Sequence, residues 1–164
     1  MSSARALAGG RLAGVVFALL VVGCFAALLI AQRLKHTPTL VQEPKLTPVI
    51  APAASGEIKE EHIAFKLADA DDVTVTIESV GGRDTATLVR DLPVPRYKIL
   101  SLRWNGREGT ARHYTILRHA DGYTTLLPDN HGRLATPGEY RVRLTLRKQN
   151  RSLYLPRNFT LVKP

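Results

Sequence analysis

Read from its N-terminus, the chain changes its hydrophobic rhythm twice. Leu12 to Ala31 is an unbroken apolar run of twenty residues, closed by Arg11 on one side and by Gln32, Arg33 and Lys35 on the other. Helical residues rise about 1.5 Å each, so this run matches roughly the 30 Å of a bilayer's hydrocarbon. It predicts a transmembrane helix over 12–31 behind a short arm, 1–11. From Glu60 onward the period becomes two. Ile63, Phe65 and Leu67 alternate with Ala64 and Lys66; Val73, Val75 and Ile77 with Thr74 and Thr76; Leu100, Leu102 and Trp104 with Ser101 and Arg103. Tyr140, Val142, Leu144 and Leu146 alternate with Arg141, Arg143 and Thr145, and Leu153, Leu155, Phe159 and Leu161 follow. Such alternation marks strands with one face in a core and one in water.

Turn chemistry separates the strands: Asp69–Asp72, Gly81-Gly82, Pro93 and Pro95, Asn105-Gly106, Asp121-Gly122, Pro137-Gly138 and Gln149-Asn150. Seven or eight short strands in about 100 residues, with no helical stretch, predict an antiparallel β-sandwich over 57–164. A barrel is the alternative. Between helix and strands, Thr37–Ser55 carries prolines at 38, 44, 48 and 52. Proline lacks a backbone donor and disfavours helix before it, so 32–56 reads as an extended linker, partly polyproline II. At about 3.1 Å per residue it would hold a domain up to roughly 60 Å from the bilayer.

Composition sharpens this picture. The chain has 164 residues, 23 basic and 14 acidic, a formal net charge of +9. Once the apolar run is set aside, that length accommodates one domain. Cys24, the single cysteine, lies inside the apolar run, so no intramolecular disulfide can form. It also opens two further readings of the N-terminus. Val21-Val22-Gly23-Cys24 resembles a bacterial lipobox, which would make Cys24 a lipidated first residue, although the run continues apolar beyond it. A conventional cleaved signal is the third reading, but the run exceeds the usual 7–15 apolar residues and has no small-x-small site before Gln32. The retained anchor is favoured. Positive charge flanks both ends about equally, so orientation rests on the early position of the span, which suits an N-terminus inside and a domain outside the cell membrane.

One group of segments carries a family likeness. Phe65-Lys66-Leu67, ADADDVTVTI over 68–77, Leu88-Val89-Arg90, LRWNGR over 102–107 and GRLATPGEYRVRL over 132–144 resemble the FlgD-type Ig-like module, named for the flagellar hook-cap protein. That family has a Trp-Asp-Gly turn and a Gly-x-Tyr strand near its end. Here the turn is Trp104-Asn105-Gly106, and Arg107 to Pro128 intervenes before the pattern resumes at Gly132. The intervening segment reads as an inserted hairpin within 107–128, YTIL (114–117) and YTTLL (123–127) around Asp121-Gly122. The resemblance implies an Ig-like, fibronectin-like sandwich, a bacterial source, an extracytoplasmic site, a structural or adhesive role, and no catalysis.

Candidate chemistry is sparse. His113, His119, Asp121, Asp129 and His131 gather in and beyond the inserted hairpin, but their spacing matches no zinc site. Asp69, Asp71 and Asp72 lack the fixed glycine and distal glutamate of a calcium loop. There is no Gly-x-Ser-x-Gly elbow, no glycine-rich phosphate loop and no cysteine outside the apolar run, so neither catalysis nor a cofactor is expected. Asn150 and Asn158 head two Asn-x-Ser/Thr triplets, which are chance matches if the source is bacterial, as the resemblance implies. Charge is the stronger signal. Residues 57–91 hold four basic and nine acidic groups, whereas 133–164 hold eight basic and one acidic. Arg141, Arg143, Arg147, Lys148 and Arg151, joined by Arg103 and Arg157, form a candidate surface for an anionic envelope polymer, lipid headgroups or an acidic protein. The competing reading pairs these cations with the acidic residues of 57–91. Nucleic acid is not expected, since no motif for it is present. The function expected is therefore a membrane-anchored structural, scaffolding or binding module; the alternative is an accessory single-pass subunit of an envelope enzyme or transporter.

Overall fold

A computed structural model of the chain describes residues 3–35, 39–52, 59–120 and 123–162. It divides into two compact units, 1–38 and 39–164. The first is one helix, α1 (Ser3–Lys35), which runs past the apolar segment at both ends. Its Gly14–Ala31 window is long and apolar enough to cross a membrane. Between Gly14 and Ala31 every side chain is exposed, with large apolar groups such as Phe17, Leu20, Phe25 and Leu29 on all sides. A helix apolar all round is matched to an apolar surrounding rather than to water.

The second unit is β-rich. Its strands are β1 (Val41–Lys45), β2 (Val49–Ile50), β3 (Glu61–Leu67), β4 (Asp71–Ser79), β5 (Asp84–Val94), β6 (Ile99–Trp104), β7 (Gly109–Thr110), β8 (Tyr114–Arg118), β9 (Thr124–Pro128), β10 (Gly138–Leu146), β11 (Arg151–Tyr154) and β12 (Phe159–Leu161). They form a five-stranded sheet in the order β1-β3-β6-β9-β8 and a seven-stranded sheet in the order β2-β12-β10-β4-β5-β7, with β11 also on β10. The period-two residues fill the space between them. Ile63, Phe65 and Leu67 of β3 and Leu100, Leu102 and Trp104 of β6 join Val73, Val75 and Ile77 of β4 and Val142, Leu144 and Leu146 of β10 in one buried core. Trp104 is fully buried, with its ring centroid 5.8 Å from Tyr140 and 5.9 Å from Phe159, and its indole N–H donates to the Arg107 carbonyl at 2.7 Å. An indole can lie at the centre of a core when its polar edge has a partner, as here.

Two expectations need correction. The sandwich is not purely antiparallel: β6–β9, β5–β7 and β12–β2 are parallel pairs. The cause lies after Trp104. The Asn105-Gly106 turn does not lead into a neighbouring strand. It carries the chain to β7 at the edge of the other sheet, and the β8–β9 hairpin then returns, setting β9 beside β6 in the same direction. The hairpin expected as an insertion is thus the outer part of the five-stranded sheet; its Asp121-Gly122 turn lies outside the described residues. Gly106 is required at the crossing, because its φ is +75° and a Cβ there would meet Pro52 Cγ at 2.6 Å.

The second correction concerns the linker. Residues 41–45 and 49–50 are strands, not an extended tether: β1 pairs with β3 and β2 with β12. The compact unit begins at Thr39, well before residue 57. Leu40, Val41 and Leu46 pack against the core and Ile50 is fully buried, which outweighs the prolines' resistance. Pro44 falls where β1 breaks register, on a sheet edge that tolerates a missing donor.

Candidate functional site

The expected basic surface is divided by the fold. Arg103 lies on β6 of the five-stranded sheet, 3.6 Å from Glu60, whereas Arg141, Arg143, Arg147, Lys148 and Arg151 lie on or beside β10 and β11 of the other sheet. Position by position, β10 runs beside β4, and register sets Arg141 opposite Glu78. Glu78 is buried between Arg141 Nη2 at 3.3 Å, Arg143 Nη1 at 2.7 Å and the Tyr154 hydroxyl, which donates at 3.0 Å. The Arg141 guanidinium also stacks over the Tyr154 ring, 4.0 Å from its centroid. Arg147 meets Asp91 and Lys148 meets Asp72, both at 3.3 Å. Arg151 and Arg157 are exposed and have no ion pair among the described residues. The geometry therefore favours internal pairing of the stripe with the acidic strands.

The aspartate cluster is also structural. Buried Asp71 accepts from the backbone N–H groups of Asp72, Lys148 and Gln149 at 2.7, 2.8 and 3.2 Å, fastening the β10–β11 turn to the start of β4. Asp69 pairs with Arg96 at 3.7 Å. In the hairpin region, His131 pairs with Asp129 at 2.7 Å and His113 is exposed, while Asp121 lies outside the described residues. No three histidine, cysteine or carboxylate side chains come together as a metal site among the described residues.

The feature missed from sequence is on the outer face of the five-stranded sheet. Strand register places His62 of β3, Ser101 of β6 and Thr125 of β9 on adjacent strands of one face. His62 Nε2 bonds Ser101 Oγ at 2.9 Å, Ser101 Oγ bonds Thr125 Oγ1 at 3.0 Å, and Thr125 Oγ1 bonds His119 Nε2 at 2.9 Å. His119 stacks on Tyr123, with centroids 4.0 Å apart. Three bonds need three donors, and each hydroxyl supplies one, so at least one of the two imidazoles carries its proton on Nε2. Burial, first, and then the positive charge of Arg103, His119 and Lys45 hold His62 below its ordinary value of 6.5. Beside this chain lies a cavity of about 220 Å³ lined by Glu43, Lys45, His62, Lys66, Ser101 and Tyr123, among others, with Lys66 paired to Glu43 at 2.8 Å. Ser101 is only 1% exposed and is bonded on both sides, so its hydroxyl serves as a link, not as an open nucleophile. In sequence these residues are the polar half of ordinary alternation, and nothing in the pattern distinguishes them from solvated positions.

A third buried carboxyl faces inward. Glu61, at the start of β3, is fully buried opposite Trp104. The Thr47 N–H donates to its Oε1 at 2.9 Å, and Thr47 Oγ1 accepts the His62 N–H at 3.2 Å. Its Oε2 has no hydrogen-bond partner among the described residues. Desolvation pushes the carboxyl from 4.5 up to about 8, only partly opposed by the Thr47 bond. Compared with protein-family models, curated proteins and solved structures, the chain matches none.

Proposed function

We propose that this protein is a single-pass envelope protein whose domain, held outside the cell membrane by α1, is a non-catalytic Ig-like module of the FlgD type that binds a partner. The observation that carries the reading is the disposition of polar groups. Buried Glu78, Asp71, Ser101 and Thr125 are occupied in joining strands, while the cavity beside His62 stays open on the sheet, rimmed by Glu43, Lys45, Lys66 and Tyr123. Lys66 is held by Glu43 at 2.8 Å, so in this reading Lys45, with His62 and Tyr123, meets an anionic group on an acidic protein or envelope polymer. The Ig-like assignment is supported by a further detail. The Tyr140 hydroxyl at the start of β10 donates at 2.5 Å to the carbonyl of Thr136, four residues upstream, as in the tyrosine corner of such sandwiches.

Affinity capture of the full chain from mild detergent tests the proposal. Recovery of an extracytoplasmic partner that is lost on Lys45→Glu with Tyr123→Ala is the expected result. A stoichiometric multispan partner insensitive to that double change would replace it with the accessory-subunit reading, in which α1 makes the contact.

A further inference from the structure

We propose that β8 is a self-association edge, along which a second copy of this chain adds its own β8 in antiparallel register to continue the five-stranded sheet. This goes beyond the partner-binding reading and does not depend on it.

Sheet edges invite pairing, and folded proteins blunt them with prolines, charges, bulges or shortness. The other edges here follow that rule. β1 carries Pro44 between Glu43 and Lys45 and breaks register; β2 and β7 are two residues long; β11 has four and opens with Arg151. β8 is different. Its register with β9 is unbroken from Tyr114 to Arg118, all five residues are exposed, and Tyr114, Ile116 and Leu117 are 43%, 52% and 39% exposed. No strand among the described residues pairs with its outer side.

The backbone bonds show which groups face outward. Asp129 N–H donates to the His113 carbonyl, and His119 N–H to the Tyr123 carbonyl, both at 3.0 Å. Antiparallel bonding alternates along a strand, so residues 113, 115, 117 and 119 turn their backbone groups towards β9. Tyr114, Ile116 and Arg118 turn theirs to the open edge. A two-fold axis at Ile116 then places Ile116 opposite its copy, and Tyr114 opposite Arg118 twice. All three are hydrogen-bonding positions, giving roughly six main-chain bonds. The side chains also match. The one charged residue of β8, Arg118, meets an aromatic ring rather than another arginine, and Ile116 meets Ile116. An isologous contact of this kind closes at two copies.

The test uses the purified full chain in detergent, in a Cys24→Ser background. Light scattering coupled to size exclusion should give a dimer. Ile116→Lys and Ile116→Glu should each weaken dimerisation at least about tenfold by setting like charges face to face, and mixing the two should restore a heterodimer. Trp104 emission checks that each variant is folded. Independently, Ile116→Cys should form an intermolecular disulfide, because hydrogen-bonded antiparallel partners have Cα atoms about 5.5 Å apart, within disulfide reach. Arg90→Cys, on β5 of the other sheet, should not. A monomer at tens of micromolar, a dimer that survives both charge variants, or equal crosslinking from position 90 would overturn the proposal. A monomeric full chain that captures a foreign protein through Ile116 would assign the edge to that protein instead.

Discussion

Replacing Glu61 by Gln should make the domain more stable than the parent at pH 8.5 and somewhat less stable than it at pH 5. In the fold the carboxyl titrates near 8; unfolded, it returns to its ordinary 4.5. Below 4.5 both states hold the proton and the group has no effect. Between 4.5 and 8 the folded state holds one proton more than the unfolded state, so raising the pH favours unfolding by roughly 1.4 kcal/mol per unit. Above 8 the loss is complete. Across that window it is on the order of 5 kcal/mol, a large share of a domain's total stability. Gln keeps the shape and an oxygen for the Thr47 N–H, and it carries no charge at any pH. Its amide leaves N–H groups buried at the place of Oε2, a constant cost of about 1–3 kcal/mol. The informative quantity is therefore the difference between the two proteins at pH 8.5 minus their difference at pH 5.

Trp104, the sole tryptophan, reports the unfolding of this unit in the full chain. At roughly 4 °C per kcal/mol for a domain of this size, the pH-dependent gain in midpoint from Glu61→Gln should be on the order of 15 °C. Other titrating groups are common to both proteins and cancel. A constant offset between the two melting curves from pH 5 to 8.5 would refute the reasoning. It would mean that water or a cation reaches Oε2 and that the carboxylate is ionised in the fold at neutral pH.

Three more outcomes are expected. Trp104→Ala should cost on the order of 3–5 kcal/mol, and the native indole should emit to the blue and resist aqueous quenchers; emission like that of free tryptophan would contradict its burial. Arg141→Gln with Arg143→Gln should lower stability by about 3 kcal/mol, because Glu78 is left buried without its counter-charges, and should not alter sedimentation with anionic vesicles; salt-sensitive vesicle binding abolished by the double change would restore the exposed stripe. Cys24→Ser should leave the protein in the membrane fraction at unchanged mass, whereas a diacylglycerol adduct on Cys24 would assign the anchor to lipid.

Legibility in the sequence followed the strength of the physical signal. The core was readable because Ile63, Phe65, Leu67, Leu100, Leu102, Trp104, Val142 and Leu144 alternate strictly, and one buried face forces that pattern. The apolar helix was readable because length and composition alone define it. Sheet direction was not. Parallel neighbours such as β6 and β9 are joined by no hairpin, and period-two alternation is the same for either direction. β1 and β2 were hidden because prolines dominate 38–52, and proline's local preference gives no account of tertiary pairing at an edge. The charge stripe was legible as residues, while the choice between an outside partner and the acidic residues of 57–91 stayed open. Whether Arg141 meets water or Glu78 depends on β10 lying beside β4, a contact between residues 63 positions apart.

The hydrogen-bonded chain on the five-stranded sheet explains why so small a ladder holds β9 in place. β9 joins β6 through register pairs at Ser101–Thr125 and Leu102–Leu126 only. A parallel contact this short offers few backbone bonds, and parallel pairing is slightly weaker per residue than antiparallel. The line from His62 through Ser101 and Thr125 to His119 crosses β3, β6 and β9 and ends at the β8–β9 turn, supplementing the ladder with three side-chain bonds. The same His62 and Ser101 line the cavity. Anything that engages the His62 imidazole there competes with the bond to Ser101; the two remaining bonds can then be donated by the two hydroxyls alone, Ser101 to Thr125 and Thr125 to His119, so His119 can accept at Nε2. The cavity wall and the attachment of the hairpin thus share one hydrogen-bonded line of side chains.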